Sequence, residues 1–535
     1  MTFAGVASLF PMLEWLSPAA CAVSMAALVV AGVAGRGELL RNLLERRGWA
    51  WLAVVIALPL AVRLATVPAT ERVYYDEHTY LQIARGIADE ARAQVATYGL
   101  IQQQRYRCLS GSDPHWSLGW PVLLAGGLRV TGYARWTGAA VNLALSLATV
   151  LLVALLAAAL FPGTRVWLAA AATFACLPAN QIWSRTSASE VFAAFAATLA
   201  VLCAVRFRQA PSRRLGWLLA AALATGAQTR NEMIWLLPVC ALFLGRRALR
   251  KALWPAVLTI ALLLPQGLHL GSVARAYDPN LVAGSGFGTQ YLPSNLASLV
   301  QYVRGEWIAL GCVLLAVLAS TRARLGKVAL PVWCWGLSAL LAPMIHFGGS
   351  YVFPGGERFA LAWLPPLALA AGCGLYALHY TLPRRLPGRL LMALWAALFV
   401  GVLLRAGPWA AVKDRETGVP RGDMAFLRAA LTTVPQDGLV ISSDPSAVIA
   451  EGRSSVFLPW TSWEPDGLAK LAAQYPRNLY YFVSPSSAPG QWAGGPEYEP
   501  RLLSFFRAVP VAREQSPAGT RVLYRLTTPA QFGYQ

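Results

Sequence analysis

The sequence predicts a polytopic α-helical membrane protein of about twelve transmembrane helices with a small external α/β domain at its C-terminal end. Three observations carry that reading. Of 535 residues, 56% are hydrophobic and only 13% charged, against about 25% charged in soluble proteins. Mean hydropathy is +0.49. Apolar runs of about 15–24 residues recur, close to the length that crosses a hydrocarbon core of about 30 Å.

The runs place spans at 12–35, 49–68, 136–160, 166–183, 188–205, 215–229, 231–245, 252–270, 306–320, 328–346, 359–380 and 390–409. Charge tests the count. Most of the net charge of +20 sits in gaps at 36–47, around Arg165, and at 206–214, 246–251, 321–327 and 384–389. With these spans every such gap falls on one side, as the positive-inside rule requires of cytoplasmic loops. The charge therefore sets topology, and no nucleic-acid partner is implied. Seven of the eight cysteines lie in apolar runs, Cys108 being the exception, which argues against a disulfide framework.

The opposite, external side then holds a first loop at 69–135, a second at 271–305, a third at 347–358 and a polar tail. The domain division is a membrane domain, 1–410, carrying loop 69–135, and an external domain, 411–535. In the tail, a helix at 422–433 and strand-like runs at 439–442, 479–483 and 521–526 are separated by Pro, Gly, Ser and Asp, a pattern expected of a small α/β unit.

Acids and histidines also sort to the external side. Tyr74-Tyr75-Asp76-Glu77-His78-Thr79-Tyr80 opens the first loop. Adjacent carboxylates there can supply a general base or a metal ligand, or Asp76 can simply cap an amphipathic helix over 77–90. The loop closes on Asp113-Pro114-His115-Trp116, whose tryptophan fits an interfacial anchor and whose acid and imidazole are further candidates. Glu190, at the start of a span, is costly unless it meets a cation or a polar cavity. Thr229-Arg230-Asn231-Glu232 joins two runs of about 15 residues, too short to cross separately, so the turn is expected to sink below the surface. There Arg230 either pairs with Glu232 or binds an anion such as a lipid phosphate. Arg358, in Gly355-Gly356-Glu357-Arg358-Phe359, lies where an amphiphile's phosphate would sit or snorkels, and Arg63 and Arg405 are read as snorkelling.

An acidic pair opening the first external loop resembles the GT-C superfamily of membrane glycosyltransferases. So do the segment His115-Trp116-Ser117-Leu118-Gly119-Trp120-Pro121, an acid following the Pro178-x-Asn180-x-Ile182-x-Ser184 helix end, the 229–232 turn, and an external Arg before a helix with Pro365-Pro366. The layout over about 50–410 is similar to glycosyltransferase family 39, with its protein O-mannosyltransferases and lipid A aminoarabinose transferases. The resemblance implies a polyprenyl-phosphate-linked sugar donor, a cell-envelope acceptor (lipid, glycan or protein) and inverting hexosyl or pentosyl transfer on the external face of a bacterial inner membrane. It assigns Asp76 as base with Glu77 beside it. Tyr80, Asp113, His115, Glu190, Arg230, Glu232 and Arg358 become substrate-binding residues. His78 departs from the family pattern and leaves open a divalent metal held by Glu77, His78 and His346. A secondary transporter or flippase of a polyprenyl-linked or anionic substrate is the alternative; against it, ionisable residues crowd the external ends and no internal repeat is visible.

Overall fold

The computed structural model describes the chain except residues 1–9, 41–45, 68–75, 113–116, 277–287, 306–310, 318–325, 347–348, 352–355, 382–399, 402–403, 405–410, 412–414, 416, 465, 488–494 and 529–535. It divides into two compact units. The first comprises 1–70, 116–120 and 135–413, and the second 71–115, 121–134 and 414–535. In this division most of the first loop groups with the C-terminal segment, whereas the sequence reading places it with the membrane domain.

The first unit is helical. Helices coincide with each expected span, except that 306–320 and 390–409 lie partly or largely outside the described residues. Among the described residues five segments are long and apolar enough to cross a membrane, or six if the pair Gly356–Ala362 and Leu364–Ala377, bent by 62°, is one span. Fewer than twelve pass because two expected spans lie partly or largely outside the described residues, 231–245 and 252–270 fall in one passing stretch, Asn231–Gly271, and others are short or interrupted. The run 166–183 breaks at Leu177, which is extended before Pro178, since proline disfavours a helical residue ahead of it. The chain after Arg230 first forms a 3-10 turn, Asn231–Trp235, before the helix Leu236–Leu249.

Apolar side chains face outward, with Val29, Val30, Val33, Val257, Ile260 and Leu264 exposed, as lipid contact requires. Small residues lie inside. Ala154, Ala157, Ala170, Ala171, Ala193 and Ala197 are buried, allowing Thr137–Leu160, Val166–Cys176 and Ser189–Gln209 to approach closely. A Cβ on Gly372 would lie 2.6 Å from the Ala170 nitrogen, so the Leu364–Thr381 helix needs glycine at that crossing. Arg63 does not snorkel: it is fully buried and donates through Nη1 to Ser146 Oγ at 3.1 Å, and Ser146 Oγ donates to Asn180 Oδ1 at 2.8 Å. Arg405 lies outside the described residues.

The second unit is built on a seven-stranded sheet in the order β2-β1-β4-β3-β5-β7-β6. The strands are β1 (Val95–Gln102), β2 (Arg105–Ser112), β3 (Leu439–Ser442), β4 (Ser454–Phe457), β5 (Leu479–Val483), β6 (Arg507–Ser516) and β7 (Gly519–Thr527). β3 pairs parallel with β4 and β5; the other pairings are antiparallel. The alternation along β3 and β5 feeds two cores. Leu439, Ile441, Leu479 and Tyr481 pack on one face, and Val440, Tyr480 and Phe482 on the other with Met424 and Leu427 of the Gly418–Leu431 helix, so these strands read as continuous apolar runs.

The first-loop hairpin enters this sheet through β1, with Tyr98 opposite Val456 and Gly99 opposite Ser455. Ala96, Ile101 and Tyr106 of the hairpin bury Ile449 from the short helix Pro445–Ala450. Ile449→Ala should cost about 2–4 kcal/mol, read as a lower thermal unfolding midpoint of the full chain in detergent.

Candidate functional site

In the first unit, the centre is Glu190, only 2% exposed in the first turn of Ser189–Gln209. The unpaired N–H groups at a helix start favour a carboxylate there. One of its oxygens, Oε1, accepts from Arg230 Nη1 and, at 2.9 Å, from Arg358 Nε. Arg230 also pairs through Nε with Glu232. The guanidinium carbons of Arg230 and Arg358 lie 5.5 and 5.2 Å from the centroid of the Phe359 ring, within cation–π range. One buried carboxylate thus gathers two cations over one aromatic ring.

The chain reaches this geometry locally. Arg230 is extended between the end of the Arg213–Thr229 helix and the 3-10 turn carrying Glu232, which turns its side chain out of the helical ladder. Asn231 accepts from Ser117 Oγ at 2.8 Å and from Gln266 Nε2 at 3.2 Å, bracing the turn. Glu357 and Arg358 lie in the 3-10 stretch Gly356–Ala362. A Cβ on Gly356 would sit 1.9 Å from the Ser350 carbonyl oxygen, so only glycine lets the chain double back there. Asn295 donates to the carbonyls of Pro343, Met344 and His346 at 3.0, 3.1 and 2.8 Å, closing the end of Gly326–Met344 and fixing His346.

Sequence reasoning found Glu190, Arg230, Glu232 and Arg358, and the structure joins all four in one network. It missed Phe359 and Asn295. Phe359 could have been suspected as the aromatic next to Arg358; Asn295 stands in an amphipathic helix, Leu292–Gly305, with no local mark of its role.

In the second unit, Asp76 and Glu77 form the first turn of the helix Asp76–Glu90, so the amphipathic helix begins at Asp76 itself. Asp76 is half-buried, while Glu77, His78 and Tyr80 are buried. His78 Nδ1 lies 3.7 Å from Asp444 Oδ2. Asp113 and His115 lie outside the described residues. Of the residues read as metal ligands, Glu77 and His78 lie in the second unit, where His78 faces Asp444, and His346 lies in the first, beside Arg230 and Glu232. Among the described residues no group of three His, Cys, Asp or Glu side chains could hold a metal ion.

No family model matches the sequence, and no curated protein matches it. Among solved structures, the chain is similar to the crystal structure of ArnT from Cupriavidus metallidurans bound to undecaprenyl phosphate, with a TM-score of 0.58 at 15% identity over 92% of this chain and 100% of that one. It is similar to the same protein in the apo state, with a TM-score of 0.54 at 15% identity over 91% and 99% of the two chains. The chain has the GT-C fold.

One outcome tests the network. Glu190→Gln leaves two guanidiniums without their shared carboxylate and should cost about 3–5 kcal/mol, measured as thermal unfolding in detergent.

Proposed function

We propose that this chain is a membrane glycosyltransferase that takes a sugar from a polyprenyl-phosphate donor and passes it, with inversion, to a cell-envelope acceptor on the external face. The observation that carries the reading is the arginine pair held by Glu190, in a fold shared with a protein that binds undecaprenyl phosphate.

Planar guanidiniums suit phosphate oxygens because they offer paired donors in a fixed plane. Glu190, the more buried acid, orients both arginines. Glu232, 20% exposed, is the partner that an incoming phosphate would displace from Arg230. As the bond from the anomeric carbon to the phosphate oxygen breaks, Arg230 and Arg358 take the charge that develops on the leaving group. The acceptor hydroxyl forms the new bond to that carbon with inversion and gives its proton to a base, the role assigned to Asp76. Asp76 is assigned the base over Glu77 because it is the more exposed of the two, and a base must reach its substrate. The sugar, hexose or pentose, is carried on the lipid and needs no soluble nucleotide donor outside the cell.

Asp76→Asn should abolish transfer while leaving lipid-phosphate binding in place; full turnover by this variant would remove the base assignment. Arg230→Lys keeps the charge but loses the fork, and should weaken undecaprenyl phosphate binding about tenfold, measured by titration in detergent. Unchanged affinity would return Arg230 to a purely structural pairing with its two glutamates.

A further inference from the structure

The helix carrying the acidic pair is tied through its C-terminal half to one distant stretch of chain, residues 439–457, and approaches the same stretch at its first turn. At its C-terminal half Arg85 Nη1 donates to the Ile449 carbonyl at 3.0 Å. Gln82 donates to the Tyr106 hydroxyl at 2.8 Å and accepts from the Ala96 N–H at 3.1 Å, and the β1–β2 hairpin so held is itself paired to β4. At its first turn His78 faces Asp444, both buried. Asp444 is in turn fixed by backbone. Its N–H donates to Ser442 Oγ at 3.0 Å, at the end of the buried strand β3, and its Oδ1 accepts from the Ala447 N–H at 3.2 Å as the cap of Pro445–Ala450. The other oxygen, Oδ2, is the one that faces His78.

We infer that Asp444 is a positioning residue for the transfer reaction, acting through His78 on the first turn that holds Asp76; this rests on Asp76 being the base. A carboxylate behind an imidazole fixes which ring nitrogen carries the proton and how the ring is turned, and the ring is two residues from Asp76. The 3.7 Å separation is longer than a hydrogen bond, and such contacts commonly shorten when substrate binds. On this reading residues 439–457 set the position of the base.

The test uses the full-length protein with a polyprenyl-phosphate sugar. Asp444→Asn retains a side-chain oxygen that caps Pro445–Ala450 as well as Asp does but removes the charge facing His78. Turnover should fall about tenfold with donor and acceptor KM unchanged, a split that general loosening of the fold would not give. His78→Asn, which leaves the cap untouched, should lower turnover likewise, and the double variant should be no slower than the slower single one. Wild-type turnover in Asp444→Asn, or losses that multiply in the double variant, overturns the positioning role. If Asp76→Asn is inactive while Asp444→Asn is fully active, only this inference falls; an active Asp76→Asn removes the base assignment and this inference with it.

Discussion

A carboxylate with 2% exposure, Glu190, holding two arginines is the constraint on which the rest of the membrane unit depends. Taking a lone charge out of water into a helical bundle is prohibitive, whereas a paired and hydrogen-bonded one is tolerable. Each structural oddity nearby serves that pairing. The extended residue at 230 aims one guanidinium inward, the glycine at 356 brings the other within reach, and Phe359 gives both an electron-rich face. The pairing holds two planar cations in fixed positions.

Polar side chains inside the bundle follow the same economy of partners. Arg63 meets Ser146, Ser146 meets Asn180, and Asn142 donates to the carbonyls of Thr186 and Ala188 at 2.8 Å each. The last of these holds the turn that leads into Glu190. With lipid outside offering no hydrogen bonds, irregular backbone at such a turn persists only where side chains satisfy it. That is why asparagine and serine cluster near the break at Pro178 while the outward faces carry valine, leucine and isoleucine.

The second unit solves a different problem. A short acidic helix and a two-stranded hairpin cannot be stable alone. Joining them to a sheet whose central strands are buried on both faces gives the acids a fixed support. The tie comes from residues more than three hundred positions later in the chain, through β4, Ile449 and Asp444.

Composition, the one-sided placement of arginine and the length of the apolar runs determined the membrane class and the helical order, because hydrophobic length and charge asymmetry are local properties of sequence. The strands at 439–442 and 479–483 were legible for the same reason, being short apolar runs between turn residues. Glu190, Arg230, Glu232 and Arg358 stood out singly, as charges too expensive to bury without cause, but nothing in their spacing said that one carboxylate would serve both arginines. The membership of the first loop in the C-terminal sheet was beyond reach too, as were the interrupted spans, the burial of Arg63 and the meeting of His78 with Asp444. Those depend on which faces come together across long stretches of chain, and only packing in three dimensions decides that.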